Sequence, residues 1–474
     1  MSVRDAPRSF HFLGICGTAM GSIAAALQER GFKVTGSDEN VYPPMSIFLE
    51  KKGIALKEGY RAENIPLGAD VVVIGNAMKR GNPEVEAVLS RKLLYLSLPE
   101  VLRNYFLRGR HNLVVTGTHG KTTTTALLAW IMEKAGRKPG YLIGGLPTNF
   151  GQGARLNDSK YFVIEGDEYD SAFFDKRSKF IHYLPELLIV NNIEFDHADI
   201  FNNLDEIKLS FRRLLNIVPQ NGMVLLNGDD PNCVEVARDC LAPMIEVGFS
   251  KNCAQRIRDV AYSAGSSRFK LGEDVFEVPL IGEFNVRNAA MAAIAARFYD
   301  VPKTKIDNAF KSFAGIARRQ ELRGEVRGVK VIDDFGHHPT AIAYTLQALR
   351  QRYRSHRLWA VFEPRSNTTR RAVFQQQLPD ALKSADGVLI AQVAKLEQIP
   401  EKERLNPKAV VDAIAKAGRP AFYEKNAAAI VDRIVPMLRA KDVVVVFSNG
   451  GFDNIHEKLL NRLKELQTLQ GYKG

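Results

Sequence analysis

A segment near residue 120 combines glycines, a lysine and hydroxyl groups at a spacing suited to phosphate chemistry. It reads Thr116-Gly117-Thr118-His119-Gly120-Lys121-Thr122-Thr123-Thr124, between an apolar run and an Ala/Leu-rich helical stretch. Glycine lets backbone N–H groups close around phosphate oxygens, and a helix N-terminus favours negative charge. We expect Lys121 to reach the β/γ-phosphates and Thr122 to ligate Mg²⁺. Val115 replaces the first glycine of GxxxxGK[ST], which leaves a plain strand–helix turn as the alternative.

Acidic residues follow the next two apolar runs of this region. One segment reads Glu165-Gly166-Asp167-Glu168-Tyr169-Asp170, and the other reads Asn191-Asn192-Ile193-Glu194-Phe195-Asp196-His197. The carboxyl ends of parallel strands are where ligands and metals bind, and Mg²⁺ prefers oxygen ligands. These segments therefore indicate a metal site beside the phosphate loop. The alternatives are a solvated acidic loop and an ordinary surface histidine.

A glycine turn also follows the first apolar run of the chain. It reads Gly14-Ile15-Cys16-Gly17-Thr18-Ala19-Met20-Gly21, and Asp38 closes the second run 24 residues after Gly14. In a dinucleotide fingerprint, such a turn holds diphosphate and the later acid holds ribose. The spacing GxxGxxxG differs from GxGxxG, so the turn favours some diphosphate ligand over NAD. The alternative is a tight packing turn between strand and helix.

Short β-branched runs that alternate with helical stretches must position these residues. Nearly continuous apolar runs are typical of parallel strands covered by helices on both faces, which predicts an α/β fold. Polar, glycine-containing joints at 108–110 and 318–330 precede fresh strands. The pattern between 252 and 278 is irregular and predicts no element. The predicted strands are Phe10–Ile15, Lys33–Ser37, Val71–Gly75, Leu93–Leu96, Leu113–Thr116, Tyr161–Ile164, Leu187–Asn191, Met223–Leu226, Val329–Ile332, Leu358–Phe362, Val388–Ala391 and Val443–Phe447.

Composition narrows the class of protein. The chain has 474 residues, and Lys+Arg 65 against Asp+Glu 53 gives a formal net charge of +12. This length suggests about three domains. No apolar run is long enough to span a bilayer and no signal peptide is evident, so we expect a cytoplasmic protein that does not act at a membrane. A basic chain can bind nucleic acid, anionic membranes or small polyanions such as nucleotides.

Taken together, these motifs resemble the Mur ligase family of ATP-dependent enzymes that form amide bonds. Thr116–Thr124 is similar to the family's TGTxGKTTT loop, and the two acidic segments are similar to its strand-end motifs. Three further segments, after residue 280, also match in order. They are Gly282-Glu283-Phe284-Asn285-Val286-Arg287-Asn288, Arg318-Arg319 and Asp333-Asp334-Phe335-Gly336-His337-His338-Pro339-Thr340.

The resemblance implies ATP and Mg²⁺ as cofactors and assigns residues to them. Lys121, His197, Arg319 and His337 are the expected catalytic residues. Thr122, Glu165 and His197 are the expected metal ligands, and a second Mg²⁺ has no defined ligands. The carbamylated lysine of several members is absent from Phe211-Arg212-Arg213. The expected ATP-binding residues are Gly117, Thr118, His119, Gly120, Lys121, Thr122, Thr123, Asn288 at adenine, Arg319 at the γ-phosphate and Asp334 at the ribose.

Within the family, the muramate-using branch fits best, which implies UDP-N-acetylmuramate as one substrate. Three stretches, 41–46, 362–367 and 447–452, are more similar to members that add the murein tripeptide L-alanyl-γ-D-glutamyl-meso-diaminopimelate. Addition of free L-alanine is the alternative. Arg365 and Asn449 are expected to bind the incoming peptide, with a solvated loop arginine as the alternative for Arg365. The expected residues for the UDP-sugar are Gly14, Cys16, Gly17, Thr18, Met20, Ser37, Asp38, Asn76 and Ala77.

The resemblance also implies three domains. We expect a Rossmann-like UDP-sugar-binding domain at 1–108, a central P-loop ATPase domain with a mostly parallel sheet at 109–321, and a Rossmann-like domain for the incoming peptide at 322–474. The expected state is a monomer or weak homo-oligomer.

Two other classes of protein are alternative interpretations of the sequence. A nicotinamide-dependent dehydrogenase would use the Gly14 turn but leaves the phosphate loop unexplained. A nucleic-acid-binding ATPase would use the positive charge, but the basic residues are dispersed without interleaved aromatics.

Overall fold

The computed structural model describes residues 7–41, 45–394 and 396–471, with side chains to residue 468. The stretch at 41–46 that pointed to the tripeptide-adding members therefore lies partly outside the described residues. The chain forms two compact units. The first comprises residues 1–194, 203–258 and 288–314, and the second comprises 195–202, 259–287 and 315–474.

The first unit contains two sheets, and the amino-terminal one is entirely parallel. Its strand order is β3-β2-β1-β4-β5, so the order reverses between β1 and β4. This is the expected Rossmann-like architecture, and its ligand crevice lies where the order reverses. The elements are β1 (Ser9–Leu13), α1 (Thr18–Glu29), β2 (Lys33–Asp38), α2 (Met45–Lys51), β3 (Ala55–Glu58), β4 (Val71–Ile74), α3 (Pro83–Ser90), β5 (Tyr95–Ser97) and α4 (Leu98–Leu102).

The second sheet of this unit carries the phosphate loop. Its order is β15-β14-β13-β12-β6-β9-β7-β8, and its strands are parallel apart from the β7–β8 pair. A separate hairpin, β10–β11, follows β9. The elements are β6 (His111–Thr116), α5 (Lys121–Lys134), β7 (Gly140–Leu142), β8 (Ala154–Arg155), β9 (Tyr161–Glu165), β10 (Asp170–Ala172), β11 (Asp175–Ser178), β12 (Leu187–Val190), α6 (Leu204–Leu215), β13 (Met223–Asn227), α7 (Pro231–Val236), β14 (Met244–Gly248), β15 (Gln255–Tyr262), α8 (Glu283–Phe298) and α9 (Lys303–Lys311).

The second unit contains a hairpin, β16–β17, and a six-stranded sheet of order β18-β19-β23-β20-β21-β22. Only β18 runs antiparallel. Alternate strand residues enter two cores, one under α10–α12 and the other under α13 and α14. The elements are β16 (Ser267–Leu271), β17 (Asp274–Val278), β18 (Glu321–Val326), β19 (Val329–Asp334), α10 (Pro339–Arg352), β20 (Arg357–Phe362), α11 (Gln377–Leu382), β21 (Gly387–Ala391), α12 (Pro407–Lys416), β22 (Ala421–Glu424), α13 (Ala427–Ile434), β23 (Asp442–Phe447) and α14 (Ile455–Gly471).

Every predicted strand overlaps a strand of the structure, and the α/β fold class is confirmed. The irregular region at 252–278 forms β15–β17, which the sequence pattern did not predict. β15 has one buried residue, Ile257, and in β16 the buried residues come at every second position, unlike the continuous apolar runs of the central strands. Across the residues described, no helix combines the length and apolarity needed to cross a bilayer.

Candidate active site

Three neighbouring parallel strands bring the predicted phosphate and metal motifs to one sheet edge. The strands β9, β6 and β12 lie side by side, and they end at Glu165, Thr116 and Val190. The first residue after β12, Asn191, donates its backbone N–H to the Thr116 carbonyl at 3.0 Å. The phosphate loop, the first acidic segment and the start of the second acidic segment therefore meet, as the sequence predicted.

The phosphate loop needs its glycines because neighbouring groups approach the backbone closely. Gly117 and Gly120 have φ of +124° and +80°, values that favour glycine. A Cβ on Gly120 would lie 2.5 Å from Asn288 Oδ1. This close approach places Asn288 of α8 beside the loop, while its contact with adenine stays a prediction.

Asn192 fixes the loop through its side-chain amide. Its Oδ1 accepts the backbone N–H of His119 at 2.7 Å, and its Nδ2 donates to the His119 carbonyl at 3.2 Å. Thr118 is held similarly, because its hydroxyl accepts the backbone N–H of Glu194 at 2.9 Å. Asn192 was not among the predicted site residues, although its segment was recognised.

Lys121 forms a buried ion pair at the start of α5. Its Nζ donates to Glu168 Oε2 at 2.9 Å and to the Gly117 carbonyl at 2.6 Å. The side chains of Lys121 and Glu168 are only 13% and 2% exposed. Burial alone would lower the pKa of Lys121, but the carboxylates of Glu168 and Asp167 outweigh it and raise the pKa. The lysine is therefore a fixed positive charge, and Glu168 is a site residue that the predictions omitted.

Thr122 and Glu165 bring together two oxygen atoms that are suited to ligate a metal ion. Thr122 Oγ1 donates to Glu165 Oε1 at 3.1 Å, and the backbone N–H of Gly144 donates to Glu165 Oε2 at 2.7 Å. A hydroxyl beside a carboxylate fits a hard divalent cation such as Mg²⁺. His197 belongs to the second unit, and its role as a third ligand stays a prediction. Thr123, the next predicted ATP-binding residue, is buried in the first turn of α5.

The predicted UDP-sugar residues lie at the reversal of strand order in the amino-terminal sheet. Gly14, with φ of +80°, donates its N–H to the Ser37 carbonyl at 2.9 Å, and Cys16 N–H donates to Asp38 Oδ2 at 2.9 Å. Burial, assisted by Asp38, raises the pKa of the Cys16 thiol to about 11, so this thiol stays neutral.

Residues on both sides of the crevice are exposed to solvent. Gly17 and Thr18 are exposed at the start of α1, and Asn76 and Ala77 are exposed after β4. Met20 is buried, with its Cε 3.5 Å from where a Cβ of Gly75 would lie. The hydroxyl of Ser37, in contrast, is fully buried and donates to Glu84.

In the second unit, Asp334 anchors the loop that begins at the predicted hinge arginines. Its carboxylate accepts the backbone N–H groups of Gln320 and Gly336 at 3.0 and 2.8 Å. Burial raises the pKa of Asp334, opposed by Arg319 and these hydrogen bonds. Arg319 stacks its guanidinium 5.0 Å from the centre of the Phe335 ring. Arg318 is held elsewhere, because its Nη2 donates to the Ser448 carbonyl at 2.6 Å.

Asp196 lies between the two histidines predicted to act in catalysis. Its Oδ1 accepts the backbone N–H of His197 at 2.7 Å, and its Oδ2 is 3.7 Å from His337 Nε2. Burial would raise the pKa of Asp196, but His337 and the other nearby imidazoles hold it well below its usual range. An ionised carboxylate at this distance can orient His337, and Asp196 belongs to the second acidic segment that the sequence singled out.

The two residues predicted to bind the peptide lie at one edge of the third sheet. Arg365 follows β20 and Asn449 follows the neighbouring β23. The Arg365 side chain is 51% exposed and lies 3.6 Å from Glu363 Oε1. The Asn449 Oδ1 is buried and has no hydrogen-bond partner among the described residues.

Comparisons with known proteins agree with this arrangement. Three family models match: "Mur ligase family, catalytic domain" over residues 9–110, "Mur ligase middle domain" over 115–296, and "Mur ligase, glutamate ligase domain" over 318–450. The chain is 44% identical to the UDP-N-acetylmuramate–L-alanyl-γ-D-glutamyl-meso-2,6-diaminoheptandioate ligase of Haemophilus influenzae, covering 96% of this chain and 99% of that one. It is 31% identical to the UDP-N-acetylmuramate–L-alanine ligase of Syntrophus aciditrophicus, covering 98% and 95%.

The fold of the chain is also similar to that of a solved structure. The chain superposes on a murein peptide ligase from Psychrobacter arcticus with a TM-score of 0.72 and 36% identity. The match covers 96% of this chain and 98% of that one.

Removal of the buried ammonium group tests the phosphate loop. We expect Lys121→Ala to weaken ATP binding by at least ~10²-fold, because an aligned charged donor in a dry site is worth several kcal/mol. Calorimetric titration with Mg²⁺–ATP measures the change. Lys134→Ala, at the exposed end of the same helix, is the matched control and should bind ATP normally. Normal ATP affinity of folded Lys121→Ala protein would contradict the assignment.

Proposed function

Because the chain belongs to the Mur ligase family, we propose that it joins L-alanyl-γ-D-glutamyl-meso-diaminopimelate to UDP-N-acetylmuramate, with conversion of ATP to ADP and phosphate. The supporting observation is the difference in similarity between two kinds of relative. The chain is 44% identical to a ligase named for this tripeptide and 31% identical to one named for L-alanine. Both alignments span nearly the whole chain. The dehydrogenase and nucleic-acid alternatives do not account for this family membership.

The first step activates the lactyl carboxylate of UDP-N-acetylmuramate. A carboxylate oxygen forms a bond to the γ-phosphorus while the bond to ADP breaks, which gives an acyl phosphate. Two anions must approach, so positioning and neutralisation of charge supply most of the catalysis. We assign Lys121 and Arg319 to the phosphates, with Asn288 and Asp334 binding the adenine and ribose. Mg²⁺, held by Thr122, Glu165 and His197, would neutralise negative charge on the phosphate oxygens.

The second step forms the amide. The α-amine of the tripeptide attacks the acyl carbon, the carbon–oxygen bond to phosphate breaks, and the nitrogen loses a proton. His337 is one candidate base, since the ionised Asp196 lies 3.7 Å from its Nε2. His197, whose backbone contacts the same carboxylate, is the other.

The three sheets divide the substrates among them in this proposal. Residues 1–108 bind the UDP-sugar, residues 109–321 bind ATP, and residues 322–474 bind the tripeptide. Arg365 binds a carboxylate of the peptide, because a guanidinium can form two parallel hydrogen bonds with a carboxylate. Asn449 offers its amide beside it.

The reaction returns a murein tripeptide to the nucleotide-linked pool, which places the enzyme in recycling of peptidoglycan. We also propose that it acts in the cytoplasm, as a monomer or weak homo-oligomer. The proposed reaction involves neither a nucleic acid nor a membrane.

The choice of amine tests the proposed function. With ATP, Mg²⁺ and UDP-N-acetylmuramate present, we expect phosphate release to depend on the tripeptide and to be far slower with free L-alanine. Mass spectrometry of the product identifies the amide. Faster turnover with L-alanine would replace the tripeptide assignment, and no turnover with either amine would contradict the proposed reaction.

The role of Arg365 has a separate test. We expect Arg365→Ala to raise the KM for the tripeptide about tenfold or more, because a charged hydrogen bond is worth ~1.5–3 kcal/mol. The KM values for ATP and UDP-N-acetylmuramate should not change. Arg354→Ala removes another exposed arginine of the same unit and serves as the control. An unchanged tripeptide KM in Arg365→Ala would refute the assignment.

A further inference from the structure

A buried polar cluster lies beneath the crevice of the amino-terminal sheet. It comprises His11 of β1, Ser37 of β2, Glu84 of α3 and the nearby Asn64, and we call it the Glu84 cluster. The side chains of His11, Ser37 and Glu84 are fully buried. Ser37 was an expected substrate-binding residue, and the segment Asn82-Pro83-Glu84 resembles part of the family's UDP-sugar site.

Glu84 is the centre of this cluster. Its Oε2 accepts from Ser37 Oγ at 2.5 Å and lies 3.6 Å from His11 Nε2. Its Oε1 accepts from Asn64 Nδ2 at 2.7 Å and from the backbone N–H of Arg61 at 3.2 Å. Burial would raise the pKa of Glu84, but these hydrogen bonds lower it. Glu84 is therefore an ionised carboxylate inside the protein.

Packing alone does not account for such a group. Removing a carboxylate from water is costly, and well-packed apolar residues often replace buried ionic groups without loss of stability. The surroundings offer an apolar solution, because Leu13, Ile74, Val85 and Val88 form a hydrophobic cluster in the same part of the sheet. An ionised carboxylate is therefore not required to fill this part of the core.

The contacts of Ser37 connect Glu84 to the glycine turn. The Ser37 carbonyl accepts the backbone N–H groups of Gly14 and Ile15 at 2.9 and 3.1 Å. The next residue, Asp38, accepts the N–H of Cys16 at 2.9 Å. Glu84 holds the Ser37 side chain and so fixes the strand end on which the turn rests.

Glu84 is equally tied to the opposite loop of the crevice. It lies in the first turn of α3, where Asn82 Oδ1 accepts its backbone N–H at 3.0 Å. Asn82 ends the loop that begins after β4 and contains Asn76 and Ala77. One carboxylate thus connects the two loops that flank the point where strand order reverses.

We propose that the Glu84 cluster sets the spacing between these two loops and thereby positions the backbone groups that bind the UDP-sugar. The inference rests on the proposed function, because it takes UDP-N-acetylmuramate as the ligand of this crevice. Glu84, His11 and Asn64 are positioning residues. The Ser37 hydroxyl acts through Glu84, and the Ser37 carbonyl acts on the turn.

Separate binding measurements for the two nucleotides test this inference. We expect Ser37→Ala and Glu84→Gln to weaken the binding of UDP-N-acetylmuramate about tenfold, the change that corresponds to one lost hydrogen bond of ~1.4 kcal/mol. Mg²⁺–ATP should bind with unchanged affinity, since its loop lies on a different sheet. Calorimetric titration of the full chain gives both constants.

Control variants separate positioning from general destabilisation. Glu50→Gln alters an exposed carboxylate of α2, which lies outside both loops, and should leave both affinities unchanged. Glu84→Gln retains an acceptor for Asn64 and Arg61, so it should lose less affinity than Glu84→Ala. Ser37→Ala removes a single hydroxyl and tests the inference even if Glu84→Ala does not fold.

The outcomes are distinguishable. Weakened UDP-N-acetylmuramate binding with normal ATP binding supports the inference. Folded Ser37→Ala and Glu84→Gln proteins with normal UDP-N-acetylmuramate binding, or with both nucleotides weakened equally, would overturn it. Wild-type protein that binds ATP but not UDP-N-acetylmuramate would instead overturn the proposed function, and the inference with it.

Discussion

The buried ion pair between Lys121 and Glu168 joins the phosphate loop to the acidic segment that follows the neighbouring strand. Each charge is compensated by the other inside the protein, where burial of an unpaired charge would be costly. The pair forms because β6 and β9 are parallel neighbours, so the residues that follow them share one sheet edge. The same pair of strands brings Thr122 to Glu165, and the parallel pair β6–β12 brings Asn191 to Thr116. The geometry of the phosphate loop therefore depends on strand order and on one pair of opposite charges.

The same arrangement of a parallel sheet with loops at its carboxyl edge occurs three times in the chain. In the amino-terminal sheet it places two loops around a crevice, in the second it forms the phosphate loop, and in the third it places Arg365 beside Asn449. All three proposed substrates carry phosphate or carboxylate groups. Lys121, Arg319 and Arg365 suit such small anions and account for only part of the net charge of +12.

Much of this architecture could be predicted from the sequence, for identifiable reasons. The central strands are continuous apolar runs, which the sequence pattern identifies directly. The phosphate loop is identifiable because few other residue types can replace its glycines and its lysine. The β16 strand was missed because its buried residues Ser267, Phe269 and Leu271 alternate with exposed ones. That alternation is a strand signal in its own right. The sequence placed Glu168, Asp196 and Glu84 in recognisable motifs, but their contacts depend on partners distant in the chain, which no local pattern identifies.

In the proposed reaction, the lactyl carboxylate becomes an acyl phosphate before the amine attacks. Transfer of an oxygen isotope measures this directly. The enzyme is given UDP-N-acetylmuramate labelled with ¹⁸O in the lactyl carboxylate, together with ATP, Mg²⁺ and the tripeptide, and the released phosphate is analysed by mass spectrometry. The account predicts that each phosphate carries one ¹⁸O atom, because the carbon–oxygen bond breaks when the amide forms. Unlabelled phosphate alongside normal amide formation would contradict it.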